Sequence, residues 1–452
     1  MQFLRSLVGS QTSDAEHQHQ PTSTNAGSPG GPLVGTSAAS SSSRSTNTKV
    51  TKYVKLLHSF LSPEDQEYFT QKLRQDSADE VSDDIGALQQ SSDFVRIVDL
   101  KELARLLWSG APGEHPQLRA TTWRLLLGIA PNARERHHST LARKRREYHD
   151  LVNREYNFRD LDEDEQPLIR QIRVDLPRTS YGRCKEDHMD VGRGPPDGAS
   201  SSRHLLQEKR IQQMMERILF VWAIRRPACG YVQGINDLLP PFLTVFLAER
   251  LAQDPTNASF TSENVQLASS LLSRFSEEQL ADVEADTYLC LSKLLDSIQD
   301  HYTPGQPGIQ RMMQALKGLI ARMSTSGLGQ HLEEQGIEMV HTSFRWFNCL
   351  LTREMPLSCT IRLFDTYIAE LHDHPSEFDQ FLTFLVSSFL IHWETNLREM
   401  DFQQMILFLQ QLPTEDWKVH DIEYLLTKCH ITRETFAGAT EVRAEMMRSL
   451  RP

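Results

Sequence analysis

Apolar side chains recur every three or four residues along most of this chain and show no strict one-by-one alternation, which points to a helical fold. The sharpest case is Ile211, Met214, Met215, Ile218, Leu219 and Trp222, spaced i, i+3, i+4, i+7, i+8 and i+11, a single stripe on one helix face. Pro227 and Gly230 close that helix, the first by lacking a donor and the second by tolerating a left-handed backbone. The same period predicts helices over Val98 to Trp108, Arg143 to Phe158, Asp237 to Glu249, Glu284 to Asp300, Gln310 to Arg322 and His341 to Leu351. It continues over Leu357 to Glu370, Phe378 to Leu397, Asp401 to Leu412 and Asp421 to Cys429. No fixed-period repeat emerges, so the expected fold class is a multi-helix all-α domain. Trp123, Trp222, Trp346 and Trp393 sit in the apolar pattern and are expected in its core.

Upstream, Ser, Thr, Gly, Pro, Gln and His dominate from residue 9 to about 48, leaving too little apolar surface to offset ordering entropy. Residues 1–50 are therefore expected to be a disordered N-terminal tail. Tyr53, Leu56, Leu57, Phe60 and Leu61 restore helical spacing, so residues 51–95 read as a short helical extension followed by a polar linker, Asp76 to Ser92.

With 48 basic against 60 acidic residues the net charge is −12, which argues against a protein that binds nucleic acid by neutralising phosphates. The six cysteines, at 184, 229, 290, 349, 359 and 429, form no metal-type pair and suit a reducing compartment. The opening Met1 to Val8 is too short for a signal peptide, and Gln2 departs from the myristoylation pattern. The longest apolar run, Phe381 to Ile391, falls short of the ~20 residues a membrane span requires. A cytoplasmic protein is expected, with no transmembrane segment and only peripheral membrane contact open to it.

Two short segments carry chemistry. Ile172-Arg173-Val174-Asp175-Leu176-Pro177-Arg178-Thr179 presents an arginine on a proline-stiffened stalk, and Gly230-Tyr231-Val232-Gln233-Gly234 presents a glutamine between two glycines. A guanidinium neutralises charge spread over phosphate oxygens, and a carboxamide can accept from a water while donating to phosphate. Neither titrates near neutrality, so the pair suits electrostatic and positional catalysis rather than proton transfer. Pro177 biases Leu176 towards extended geometry. Asp175 either receives the Arg178 guanidinium or ties down the loop backbone through an Asx-type bond. Tyr231 is expected to pack its ring and anchor the loop, with Asn236 and Asp237 as the cap and first turn of the next helix.

Ile-x-x-Asp-x-x-Arg followed by Tyr-x-Gln-Gly resembles the dual-finger signature of TBC-domain proteins, the GTPase-activating proteins of Rab GTPases. Leu118-Arg119 to Trp123-Arg124-Leu125-Leu126-Leu127-Gly128 is similar to that family's opening motif, and Ser343-Phe344-Arg345-Trp346-Phe347 to Arg353-Glu354-Met355-Pro356-Leu357 to its later one. Phe220 to Arg225, Val283 to Asp286 and Lys293 to Asp300 most resemble the member-twenty-two subfamily. The likeness runs in order over residues 96–440, taken as the TBC Rab-GAP domain, with 441–452 a C-terminal tail.

The resemblance implies a regulator with no turnover of its own that acts on a GTP-bound Rab in vesicle traffic, at the Golgi or another endomembrane. Arg178 and Gln233 would enter the Rab nucleotide site in trans, supported by Asp175, Tyr231, Gly230 and Gly234. Mg2+ and GTP would belong to the Rab, leaving this chain without a cofactor or metal of its own. The competing reading is a non-catalytic helical adaptor that binds a Rab or a Golgi scaffold, for which neither finger is needed. A hydrolase built on Cys229 is disfavoured, because no motif sets a histidine beside it.

Other features take plainer readings. His372-Asp373-His374 lacks a second half for a metal, Ser326-Gly327-Leu328-Gly329 matches no phosphate loop, and Arg143 to Arg146 reads as a solvated basic face. Tyr181 to Ser202 reads as an enlarged loop beside the arginine, and Phe364 stands where many family members carry tryptophan.

Overall fold

The stripe beginning at Ile211 forms the helix Lys209–Arg225, with all six of its marker side chains buried. The computed structural model describes residues 38–76, 97–156, 165–179, 207–252 and 269–437. By internal contacts the chain divides into Met1–Ser45 and Thr46–Pro452. Of the first unit only the opening of the helix Ala38–Leu57 is described.

Within the second unit, apart from one isolated bridge between Ile97 and Ala133, the described residues form helices and turns. Leu100–Trp108 packs on Leu357–Asp373, and Leu239–Ala252 lies against both Glu277–Ser297 and Pro116–Leu126. Phe378–His392 packs between Pro307–Met323 and Val419–Ala437. One continuous apolar core runs through them and takes in all four expected tryptophans, and Phe364 meets the rings of Trp123 and Phe242 inside it. No helix among the described residues is long and apolar enough to cross a membrane.

Several sequence readings need correction. The helix Ala38–Leu57 starts inside the stretch taken as tail; Val50, Tyr53, Val54 and Leu57 anchor it in the core, and a helix once nucleated extends at little cost. Pro116–Leu126 showed no stripe because every one of its residues is buried, which erases the periodicity a half-buried helix displays. The predicted helix His341 to Leu351 breaks into Met339–Thr342 and Phe344–Asn348, followed by Leu350 and Leu351 at φ 48° and 61°. Both leucines are fully buried, and that packing holds a left-handed backbone costing about 1–2 kcal/mol per residue. Phe378 to Leu397 likewise breaks at Trp393 into Phe378–His392 and Glu394–Arg398.

The basic run around Arg143 is not simply a solvated face. Arg145 reaches Asp286 at 2.8 Å and Asp282 at 2.6 Å, and Lys144 donates to the carbonyls of Gly128 and Ile129. The enlarged loop Tyr181 to Ser202, most of the linker and the C-terminal tail lie outside the described residues.

The opening motif is structural. Arg119 pairs with Asp365 at 3.2 Å, and Asp365 also accepts from Trp123 Nε1 and the Ala111 amide, each at 2.8 Å. Arg124 pairs with both Glu249 and Asp286. Burial alone would push the Asp286 carboxyl up, but Arg124 and Arg145 outweigh it and bring its pKa down to about 2.

Candidate functional site

The arginine segment is more helical than its sequence suggested. Ile172 to Asp175 end the helix Glu165–Asp175, and Leu176–Arg178 continues as one 3-10 turn with Pro177 inside it. Leu176 is not extended: its buried side chain pulls the turn onto Lys209–Arg225, overriding the bias of a residue before proline. Ile169 and Ile172 bury the same face, and Arg173 clamps Glu216 through bonds of 3.0 and 2.9 Å. Arg178 thus leaves a fastened turn and is exposed, while Thr179 directly after it is buried.

The glutamine segment follows Lys209–Arg225. Gly230 turns the chain at φ 64° and Gly234 at φ 115°, with Gln233 half-buried between them. A side chain at Gly234 would overlap the Asn348 carboxamide as well as carrying a strained backbone.

Four residues join the segments. The Tyr231 hydroxyl lies 3.2 Å from Asp175 Oδ2 and 3.1 Å from Asn236 Oδ1, with one proton to offer either. Asn236 Nδ2 donates to Thr179 Oγ1 at 3.0 Å. Asp175 and Thr179 bracket Arg178, and Tyr231 and Asn236 bracket Gln233, so the two loops are neighbours stitched on either side of each candidate finger. Burial raises the Asp175 pKa, opposed by the Tyr231 hydroxyl and the Arg178 charge.

Neither role left open for Asp175 is what its hydrogen bonding shows: it caps no backbone N–H, and its carboxylate receives Tyr231. Asn236 and Asp237 are not a cap and first turn either. They lie in the 3-10 turn Ile235–Leu238, where Asn236 joins the loops and Asp237 accepts from Arg353 Nε at 2.7 Å. Burial disfavours the Arg353 charge, but Asp237 outweighs it and the guanidinium pKa is raised.

Residues 116–397 match the family model of the Rab-GTPase-TBC domain. This chain belongs to that family. Human TBC1 domain family member 22A is 41% identical over 342 residues, which cover 75% of this chain and 58% of that protein. The GTPase-activating protein gyp1 of Schizosaccharomyces pombe is 39% identical over 348 residues, covering 76% of this chain and 60% of its own. The crystal structure of the Ypt/Rab-GAP domain of Gyp1p matches with a TM-score of 0.64 at 36% identity, over 77% of this chain and 98% of that one. The chain therefore spans about 58–60% of the length of these curated relatives.

The TBC domain also gives residues contacts that sequence reasoning did not assign to them. Thr179, Asn236 and Arg353 sit inside or beside quoted motifs, where their polarity next to a finger was the available signal. Glu216 and Asn348 carried none, since each meets its partner only through the fold. Elsewhere in this TBC domain Asp300, His301 and Asp379 converge, and Arg311 pairs with both carboxylates. His372 Nδ1 donates to the Leu126 carbonyl at 3.1 Å.

Proposed function

We propose that this chain is a GTPase-activating protein for a Rab-family GTPase and supplies Arg178 and Gln233 to the Rab active site in trans. One observation carries the reading: the bonds between Asp175 and Tyr231 and between Thr179 and Asn236 fasten an exposed arginine and a half-buried glutamine onto adjoining loops. Val174, exposed just before Arg178, adds an apolar side chain that suits contact with a partner protein.

Arg178 would lie against the phosphoryl oxygens as charge develops, a contribution worth ~10³–10⁵ in rate for small GTPases. That range corresponds to about 4–7 kcal/mol of barrier. Gln233 would orient the attacking water. GTP and Mg2+ are carried by the Rab, and the chain acts as an enzyme regulator in the cytoplasm, meeting the Golgi or another endomembrane peripherally.

Phosphate release from a panel of GTP-loaded Rabs tests this with the parent, Arg178→Ala and Gln233→Ala. The expected result is strong stimulation of at least one Rab, reduced ~10³-fold by Arg178→Ala with binding retained. A stimulated rate that survives Arg178→Ala overturns the mechanism.

A further inference from the structure

The peptide group joining Gln233 to Gly234 is gripped at both ends by asparagines. Its carbonyl accepts from Asn348 Nδ2 at 2.9 Å, and its N–H donates to Asn236 Oδ1 at 3.0 Å. A backbone carbonyl only accepts and an N–H only donates, so the orientation of each carboxamide is forced.

Asn348 is itself fixed. It is buried, its Oδ1 accepts from Gln306 Nε2 at 3.0 Å, and its backbone carbonyl accepts from the Tyr302 hydroxyl at 2.8 Å. Gln306 holds a left-handed backbone at φ 47°, uncommon outside glycine, and the same Nε2 donates to the His301 carbonyl at 2.8 Å. The chain of contacts thus runs from a strained glutamine through a buried asparagine to the main chain of Gln233.

Glycine at 234 permits the turn but does little to specify it, because the absence of Cβ leaves the peptide plane free to rotate. Rotation of that plane changes ψ of Gln233 and φ of Gly234 together and re-aims the Gln233 carbonyl, whose carbon is bonded to the Cα that bears the finger, so a bond that anchors this carbonyl anchors the main chain from which the side chain leaves. Asn236 holds the N–H from within the same turn, and Asn348 ties the carbonyl to the rest of the domain from a helix 115 positions away. We propose that Asn348 is a positioning residue for the glutamine finger, fixing the peptide plane that follows Gln233. The inference rests on the finger reading of Gln233 given above.

The test measures GTP hydrolysis by the most strongly stimulated GTP-loaded Rab of the panel, yielding kcat and KM for that Rab. Asn348→Ala is made in the parent and in Gln233→Ala. A finger displaced by about 1 Å loses up to ~10²-fold, so the expected result is a kcat lower by about 10- to 100-fold. KM stays within about twofold, and no further loss follows in the Gln233→Ala background. Gln306→Asn, which keeps a residue tolerant of left-handed backbone but shortens its reach, gives a smaller loss in the same direction and carries the test if Asn348→Ala does not fold. An equal loss in both backgrounds marks a merely structural role and overturns the proposal. If Gln233→Ala lowers the rate and Asn348→Ala does not, the positioning role alone fails. No effect of Gln233→Ala, or no stimulated Rab, removes the finger reading and this proposal with it.

Discussion

The hydroxyl of Tyr231 meets the buried carboxylate of Asp175 across 56 positions of sequence, at 3.2 Å, and so ties the glutamine loop to the end of the arginine helix. A single phenol oxygen therefore bears on two loops at once.

Tyr231→Phe keeps the ring and removes that oxygen. A buried acceptor left without its donor costs about 1–3 kcal/mol, so the unfolding free energy from urea titration is expected to fall by that amount and the midpoint to move to lower urea. Stimulated hydrolysis is expected to fall with it. An unchanged unfolding midpoint would show that the bond contributes nothing net.

Gly234→Ala and Gly230→Ala form a graded pair. Both positions have positive φ, at 115° and 64°, but only at Gly234 does an added Cβ meet a neighbour, the Asn348 side chain. Gly230→Ala is expected to cost about 1 kcal/mol from backbone strain alone. Gly234→Ala is expected to cost about 1–3 kcal/mol and most of the stimulated rate. Equal costs in denaturant titrations would contradict the crowding.

Arg124 is enclosed with Glu249 and Asp286, and its side chain is 5% exposed. Arg124→Leu leaves the buried Glu249 without its guanidinium and Asp286 with Arg145 alone, and is expected to destabilise the domain by about 3–5 kcal/mol. Arg124→Lys should recover little, because an ammonium cannot fork between two carboxylates. Thermal unfolding of both variants decides this, and full recovery by lysine would count against it.

His115 is buried against Phe69 and beside the Lys72 ammonium; burial first and that charge second push its pKa from 6.5 down to about 3. The unfolded chain binds this proton more readily than the folded one. Its contribution to stability is thus whole above pH 6.5 and is lost as pH falls from 6.5 towards about 3, by at most ~1.4 kcal/mol per pH unit. Denaturant midpoints taken from about pH 7 to 5 should fall more steeply for the parent than for His115→Gln. Parallel curves would show that the histidine protonates freely in the fold.

The all-α class was legible because a helix is a local object: the spacing from Ile211 to Trp222 states one buried face without reference to the rest of the chain. The candidate fingers were legible for a similar reason, since proline and glycines mark Arg178 and Gln233 within a few residues of each, and the ordered motifs resemble one family. Pro116–Leu126 was illegible as a helix because its polar residues, Arg119 and Arg124 among them, are buried with partners on other segments, so polarity no longer marks a solvent face. The pairing of Asp175 with Tyr231, of Arg124 with Glu249 and Asp286, and of Gln233 with Asn348 was decided by tertiary structure alone. Those bonds join residues on different segments, and a polar side chain has the same local pattern whether its partner is water or a buried group brought to it by packing. Sequence by itself therefore determined the helical class and which two polar residues stand out; folding decided what holds those residues and how far each is exposed.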